Sequence, residues 1–115
     1  MSGRKCMVCS PRKCRTGYLY VVEDVKNGLV KIGCTVNVSR RLASYRANGS
    51  THFELRHKRR AGCEWTAAAR EEKALGRFSA EFPRVRGDWH KADVSRAITI
   101  VEDVCVNISP VVKPS

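Results

Sequence analysis

Four side chains of this sequence form a chemically coherent set for cleaving a phosphodiester bond: Tyr20, Lys31, Arg41 and Glu71. Such hydrolysis needs a base that activates water, a cation that stabilises charge on the phosphoryl oxygens, and usually a carboxylate that holds a divalent metal. Tyrosine and lysine are weak bases at their ordinary pKa values, so either needs a neighbouring cation or desolvation. Each residue also fits an ordinary role: a core tyrosine, a solvated arginine, or a glutamate paired along a helix. Residue types and spacing alone leave both alternatives open.

Basic residues dominate the charge of the chain and lie in clusters. The 22 Lys and Arg residues exceed the 11 Asp and Glu residues and give a net charge of +11. Such a charge concentrates polyanions, and nucleic acid is the commonest polyanion in a cell. The pattern predicts nucleic acid as the partner, with a basic domain that has no specific partner as the alternative. The candidate contacts to nucleic acid are Arg40, Arg56, Lys58, Arg59 and Arg60.

The length of 115 residues predicts one domain with a modest core and excludes a multidomain enzyme. No apolar stretch approaches the roughly 18 residues of a membrane span, and the N-terminus does not resemble a signal peptide. The six cysteines are therefore expected to be reduced thiols in a cytoplasm. The sequence carries no signal for an oligomeric state.

Hydrophobic periodicity predicts an α+β fold with a small three-stranded antiparallel sheet flanked by helices. The strands are predicted over residues 18–22, 29–32 and 52–60, the first two joined as a hairpin. The helices are predicted after an N-cap at Thr35 or Asn37, over residues 64–81 and after Asp93. Residues 1–16 lack this periodicity and are predicted to form an irregular, basic, cysteine-rich arm. Residues 17–106 form the predicted domain, and residues 107–115 a tail.

Three segments, taken in order, resemble motifs of the GIY-YIG endonuclease superfamily, in particular its compact phage and bacterial branch. They are Gly-Tyr-Leu-Tyr-Val-Val at 17–22, Val-Lys-Ile-Gly-Cys-Thr at 30–35, and Asn-Val-Ser-Arg-Arg-Leu at 37–42. The resemblance covers roughly residues 17–104. It implies a GIY-YIG nuclease-like fold and a metal-dependent DNA endonuclease in the cytoplasm of a bacterium or a phage-infected host cell.

The resemblance also implies a role for each residue of the set. Tyr20 with Lys31 would prepare the attacking water, Arg41 would stabilise the phosphoryl charge, and Glu71 would hold one Mg²⁺ or Mn²⁺ ion. Glu72 is the alternative metal ligand, but Glu71 has apolar residues at positions +3, +4 and +7 of the same helix. Trp89, in a segment similar to a Gly-Glu-Trp-Phe signature of that branch, is predicted to pack under the sheet, with a base-stacking contact as the alternative.

A cysteine cluster in the arm stands apart from these motifs. Cys6, Cys9 and Cys14 have a spacing that suits structural zinc, although a tetrahedral site needs a fourth ligand. The alternative is a flexible basic arm that follows phosphates. Two rivals to the endonuclease follow: a non-catalytic nucleic-acid-binding module, and a zinc-stabilised interaction domain whose arm recognises the partner.

Overall fold

The computed structural model describes residues 15–47 and 52–106. The elements in these ranges are, in chain order, β1 (Thr16–Asp24), β2 (Leu29–Thr35), α1 (Val38–Ala47), β3 (Phe53–Cys63), α2 (Glu64–Glu81), β4 (Arg84–Arg86), β5 (Trp89–Lys91) and α3 (Val94–Val106). All strand pairs are antiparallel, and the sheet order is β3-β1-β2-β5-β4. The predicted α+β class is confirmed, but the predicted three-stranded sheet is wrong, because five strands are present.

The two additional strands explain this error. β4 and β5 have three residues each and form a hairpin whose turn includes Gly87, at a φ of 52°. Strands this short cannot display the alternation by which a strand is recognised in a sequence, and β4 is wholly exposed. β5 joins the sheet because it pairs with Leu29 and Val30 of β2, which lie about 60 residues earlier in the chain.

The central hairpin β1–β2 positions residues for both faces of the sheet. Its turn includes Gly28 at a φ of 67°, and Asn27 donates a side-chain hydrogen bond of 2.8 Å to Asp24. Alternation then sends side chains to opposite faces. Leu19 and Val21 pack in the main core beneath α2 and α3, whereas Tyr20 and Val22 pack with α1 on the other face.

The smaller core on the α1 face is rich in aromatic rings. Trp89 stacks on Phe53 with ring centroids 5.2 Å apart and meets Tyr45 edge-on at 6.3 Å. This packing agrees with the structural role predicted for Trp89. The cluster holds α1 against the sheet and thereby fixes the position of the side chains that α1 presents.

The predicted helix boundaries agree with local chemistry. Asn37 caps α1, because its side-chain oxygen accepts a 3.0 Å hydrogen bond from the Arg40 N–H. α2 ends at Glu81, immediately before Phe82 and Pro83. In the described ranges, no helix is long and apolar enough to cross a membrane.

Candidate functional site

Two tyrosine hydroxyls form a direct contact beneath α1. The Tyr20 and Tyr45 oxygens lie 2.7 Å apart, which is a short hydrogen bond in which either can donate. Tyr20, on β1, is only 1% exposed, whereas Tyr45, on α1, is half-buried. The Tyr20 ring lies across its cross-strand partner Gly33, where a Cβ would meet the Tyr20 hydroxyl and come within 2.6 Å of Cζ. The absence of a side chain at position 33 therefore makes room for this phenol.

Burial determines the protonation state of Tyr20. Burial and the hydrogen bond with Tyr45 raise the pKa of Tyr20 well above its ordinary range, although the nearby Arg41 charge opposes this shift. Tyr20 is therefore a neutral phenol at physiological pH. It can orient a partner through hydrogen bonds, but it does not act as a phenolate base in this state.

Arg41 lies at the centre of the site. It is one helical turn before Tyr45 on α1, so both side chains lie on one helix face. Burial opposes the Arg41 charge, but the Tyr20 and Tyr45 oxygens outweigh this effect and raise the pKa of Arg41. Arg41 is exposed to solvent and borders a cavity of about 350 Å³. The other lining residues are Thr35, Val36, Asn37, Arg40 and Ser44.

A thiol and a carboxylate meet on the α2 face of the sheet. The Cys34 Sγ donates a 3.3 Å hydrogen bond to Glu71 Oε1 of α2. Burial and the Glu71 charge raise the pKa of the Cys34 thiol to about 12, while the Arg41 charge acts in the opposite direction. Cys34 is therefore a neutral donor, and Arg41 is close enough to influence both the phenols and this pair.

The two adjacent glutamates of α2 differ in environment. Glu71 is half-buried beside Cys34, whereas Glu72 is exposed. Neighbouring helical residues point about 100° apart, so Glu72 does not share the surroundings of Glu71. Within residues 15–47 and 52–106, no group of three or more His, Cys, Asp and Glu side chains could hold a metal ion. A metal at Glu71 would therefore need oxygen ligands from water or from a bound phosphate, which is how Mg²⁺ is commonly held.

Lys31, the remaining residue of the predicted catalytic set, forms its ion pair outside this site. Its cross-strand partner is Val22, so it lies on the same sheet face as Tyr20. Its Nζ forms a 3.2 Å ion pair with Asp88 in the turn of the β4–β5 hairpin. Tyr20 and Arg41 thus lie on the α1 face near the C-terminal end of β2, and Glu71 contacts the same end of β2, at Cys34, from the α2 face. Lys31 is engaged with the neighbouring hairpin.

A comparison with protein-family models identifies the domain. The model described as the T5orf172 domain matches residues 17–105, which is most of the chain. The chain belongs to the T5orf172 domain family. No curated protein and no solved structure gives a significant match. This assignment corrects the one drawn from the sequence motifs. Membership of the GIY-YIG superfamily is not supported, because the family model that matches is that of the T5orf172 domain.

The T5orf172 domain is a phage-related, nucleic-acid-associated module. The predicted DNA contacts of this T5orf172 domain fall into two groups. Arg56 pairs with Glu23 at 2.8 Å and with Glu54 at 3.2 Å. Arg59 contacts the Glu102 carboxylate of α3 at 3.0 Å. Intramolecular carboxylates therefore already neutralise these two arginines.

The other predicted contacts are more available to a polyanion. Lys58 and Arg60 pair across strands with Tyr20 and Tyr18, and all four side chains share the face that carries α1. Lys58 Nζ lies 5.8 Å from the Tyr18 ring centroid, a cation–π contact. In the described part of the chain, neither Lys58 nor Arg60 has a carboxylate partner. Together with Arg40 at the cavity, they place positive charge around the tyrosine pair.

The sequence analysis gave Tyr45, Cys34 and Asp88 no part in the site. The i, i+4 spacing of Arg41 and Tyr45 was a usable signal for Tyr45. The contact of Cys34 with Glu71 joins residues 37 positions apart, and no local pattern indicates it. The predicted zinc ligands Cys6, Cys9 and Cys14 lie outside the described residues, as does nearly all of the predicted arm and tail.

Proposed function

We propose that this T5orf172 domain is a metal-dependent DNA endonuclease. The proposal is carried by one observation: the Tyr20 hydroxyl, 2.7 Å from that of Tyr45, lies over Gly33, and the next residue of β2, Cys34, contacts Glu71 at 3.3 Å. Arg41 lies one helical turn before Tyr45 on α1. A cation and a carboxylate that can hold a divalent metal are two of the groups that phosphodiester hydrolysis uses, and neutral hydroxyls can position the attacking water. The proposed enzyme is cytoplasmic.

Arg41 holds the scissile phosphate. Its guanidinium is exposed at the cavity that Arg40 also lines, and this cavity lies at the N-terminus of α1. Free N–H groups and the helix dipole favour an anion at this end of a helix. Arginine binds phosphate oxygens in a bidentate manner and stabilises the extra charge of the transition state.

The tyrosine pair orients the attacking water. Tyr45 is half-buried whereas Tyr20 is enclosed, so Tyr45 is the more exposed residue of the pair. When the Tyr45 hydroxyl donates the hydrogen bond to Tyr20, the lone pairs of the Tyr45 oxygen are free to accept a hydrogen bond from water. The neutral state of Tyr20 supports a positioning role, which differs from the base role that the sequence implied.

Glu71 holds the divalent cation. A single carboxylate, completed by water and phosphate oxygens, fits the ligand preference of Mg²⁺ or Mn²⁺. When bound, the metal would supply electrostatic stabilisation of charge on the reacting phosphate. The hydrogen bond from Cys34 leaves the second carboxylate oxygen of Glu71 available and orients the group.

A non-catalytic nucleic-acid-binding module is the second candidate. The ion pair of Lys31 with Asp88 favours it, because this contact engages the one lysine of the predicted set. A module that only binds has no chemical requirement for the arrangement of Arg41, Tyr45 and Glu71. Turnover therefore separates the two functions.

The test is nicking of supercoiled plasmid by the purified chain with Mg²⁺, with Mn²⁺ or with EDTA. We expect metal-dependent nicking that Arg41→Ala lowers by about 10²- to 10³-fold, the cost of losing a preorganised charge donor. Arg77→Ala is the matched control, because Arg77 pairs with Asp103 between α2 and α3 and does not line the cavity. DNA binding without nicking in either metal would favour the binding module. Nicking in EDTA would contradict the metal requirement.

A further inference from the structure

A second cavity, of about 210 Å³, lies along α2 and shares no residue with the cavity at Arg41. It is lined by Thr66, Ala69, Arg70 and Lys73. These positions recur at intervals of three and four residues and therefore form one stripe of the helix. Arg70 precedes Glu71, and neighbouring helical residues point about 100° apart. The cavity is therefore distinct from the candidate catalytic site.

Arg70 is an unusual side chain for this position. It is 9% exposed, and its Nε has no hydrogen-bond partner. In residues 15–47 and 52–106, no carboxylate forms an ion pair with it. Its Nη1 extends towards Gly62, where an added Cβ would lie 3.5 Å away. A buried guanidinium normally has a carboxylate or another anion as its partner.

The surroundings of Arg70 do not supply a compensating negative charge. Its electrostatic neighbours are the thiols of Cys105 and Cys63 and the guanidinium of Arg59. Burial raises the pKa of Cys105, so this thiol is neutral at physiological pH. Arg59 adds positive charge, although Glu102 partly neutralises it. Lys73, at the same cavity, brings a further cation. The region is therefore cationic, and in the described ranges neither Arg70 nor Lys73 has a carboxylate partner.

We propose that the Arg70–Lys73 cavity binds a phosphate group. Arginine and lysine together suit a tetrahedral oxyanion, because the guanidinium offers two parallel donors and the ammonium a point charge. The volume is below the roughly 300 Å³ at which pockets begin to enclose drug-sized ligands, so the cavity suits a small anionic group rather than a whole nucleotide. The group is either a backbone phosphate of nucleic acid or a free phosphate. This inference concerns binding and does not depend on the proposed cleavage.

The test uses two probes, inorganic phosphate and a short DNA duplex, with the full chain and three variants. Arg70→Met and Lys73→Met each remove one cation from the cavity and keep an unbranched side chain. Lys26→Met is the control, because it lowers the net charge equally in the exposed turn between β1 and β2. Melting temperature is measured with and without phosphate, and duplex affinity is measured against salt concentration.

If the source is backbone phosphate, Arg70→Met and Lys73→Met each lower the magnitude of the slope of log K against log salt by about one. Lys26→Met lowers it less. If the source is free phosphate, the anion raises the melting temperature of the wild-type chain and of Lys26→Met but not of Arg70→Met, and the DNA slopes are equal. Either pattern supports the site. Equal slopes in all variants, together with an equal response of all variants to phosphate, would overturn it.

Two further arrangements keep the result interpretable. Lys73 is exposed, so Lys73→Met tests the site even if Arg70→Met fails to fold. Binding is measured without metal, so a chain that does not cleave DNA still reports on this cavity. If the wild-type chain does not nick DNA but Arg70→Met still changes the salt slope or the response to phosphate, the endonuclease proposal is contradicted and the phosphate site is supported.

Discussion

The hydroxyl oxygens of Tyr20 and Tyr45 lie 2.7 Å apart and join the first strand to the first helix. This contact connects the enclosed centre of the sheet to the solvent-facing side of α1, since Tyr20 is buried and Tyr45 is half-buried. Arg41, one turn before Tyr45, places a positive charge beside the pair. On the proposed function, the arrangement would offer a cation to a phosphate and a hydroxyl to the attacking water.

Tyr45→Phe removes the solvent-facing hydroxyl of this pair. We expect the nicking rate to fall on the order of 10²-fold or more, as when a positioned proton donor or acceptor is lost. DNA affinity is expected to stay within about twofold, since it depends mainly on phosphate contacts elsewhere. Tyr18→Phe is the matched control, because Tyr18 lies on the same face but beneath Lys58. Equal rates for the two variants would remove Tyr45 from the mechanism.

Gly33→Ala tests the space that the Tyr20 ring needs. The added methyl would overlap the Tyr20 phenol, so we expect a loss of about 1–3 kcal/mol in the free energy of unfolding. Nicking should also fall, because the phenol is displaced. Gly76→Ala, in α2 with open space around it, should instead stabilise the chain by up to about 1 kcal/mol. Urea denaturation of both variants measures the contrast, and an unchanged Gly33→Ala would contradict the packing described for Tyr20.

The ion pairs of β3 predict which cations matter for DNA binding. Arg60→Met should lower the magnitude of the slope of log K against log salt by about one, because Arg60 has no carboxylate partner in the described chain. Arg56→Met should change the slope less, since Glu23 and Glu54 already neutralise Arg56. Fluorescence anisotropy with a duplex over a range of salt concentrations compares the two variants. A larger change of the slope for Arg56→Met than for Arg60→Met would contradict the conclusion that carboxylates already neutralise Arg56.

His90 predicts how stability changes with pH. Burial lowers the pKa of His90, which is 2% exposed and stacks near Phe78 with ring centroids 4.6 Å apart. The unfolded chain binds a proton at the ordinary pKa of about 6.5, while the native side chain remains neutral to lower pH. The contribution of His90 to the free energy of unfolding is therefore fully present above about pH 6.5, and it is lost as the pH decreases below that value.

Replacement of His90 provides the check. His90→Gln should reduce the loss of stability between neutral and mildly acidic pH, as measured by urea denaturation at each pH. If His90→Gln lost stability on acidification as steeply as the wild-type chain, the buried neutral state of His90 would be wrong.

Local patterns in the sequence account for most of the fold but for less of the site. The hairpin of β1 and β2, the cap at Asn37 and the span of α2 depend on residues close together in the chain, so they were predictable. The β4–β5 hairpin depends on pairing with β2, which no short window shows. The same hairpin carries Asp88, whose partner Lys31 lies 57 residues away in the chain. Local sequence patterns therefore could not predict the Lys31–Asp88 ion pair.

The choice between Glu71 and Glu72 tests the central claim most directly. Each is replaced by Gln, and single-turnover nicking and DNA binding are measured with Mg²⁺ and with Mn²⁺. We expect Glu71→Gln to abolish metal-dependent nicking and to leave DNA binding nearly intact, because a neutral amide holds a divalent cation weakly. Glu72→Gln, at the exposed neighbouring position, should retain the wild-type rate. Full activity of Glu71→Gln would contradict the account.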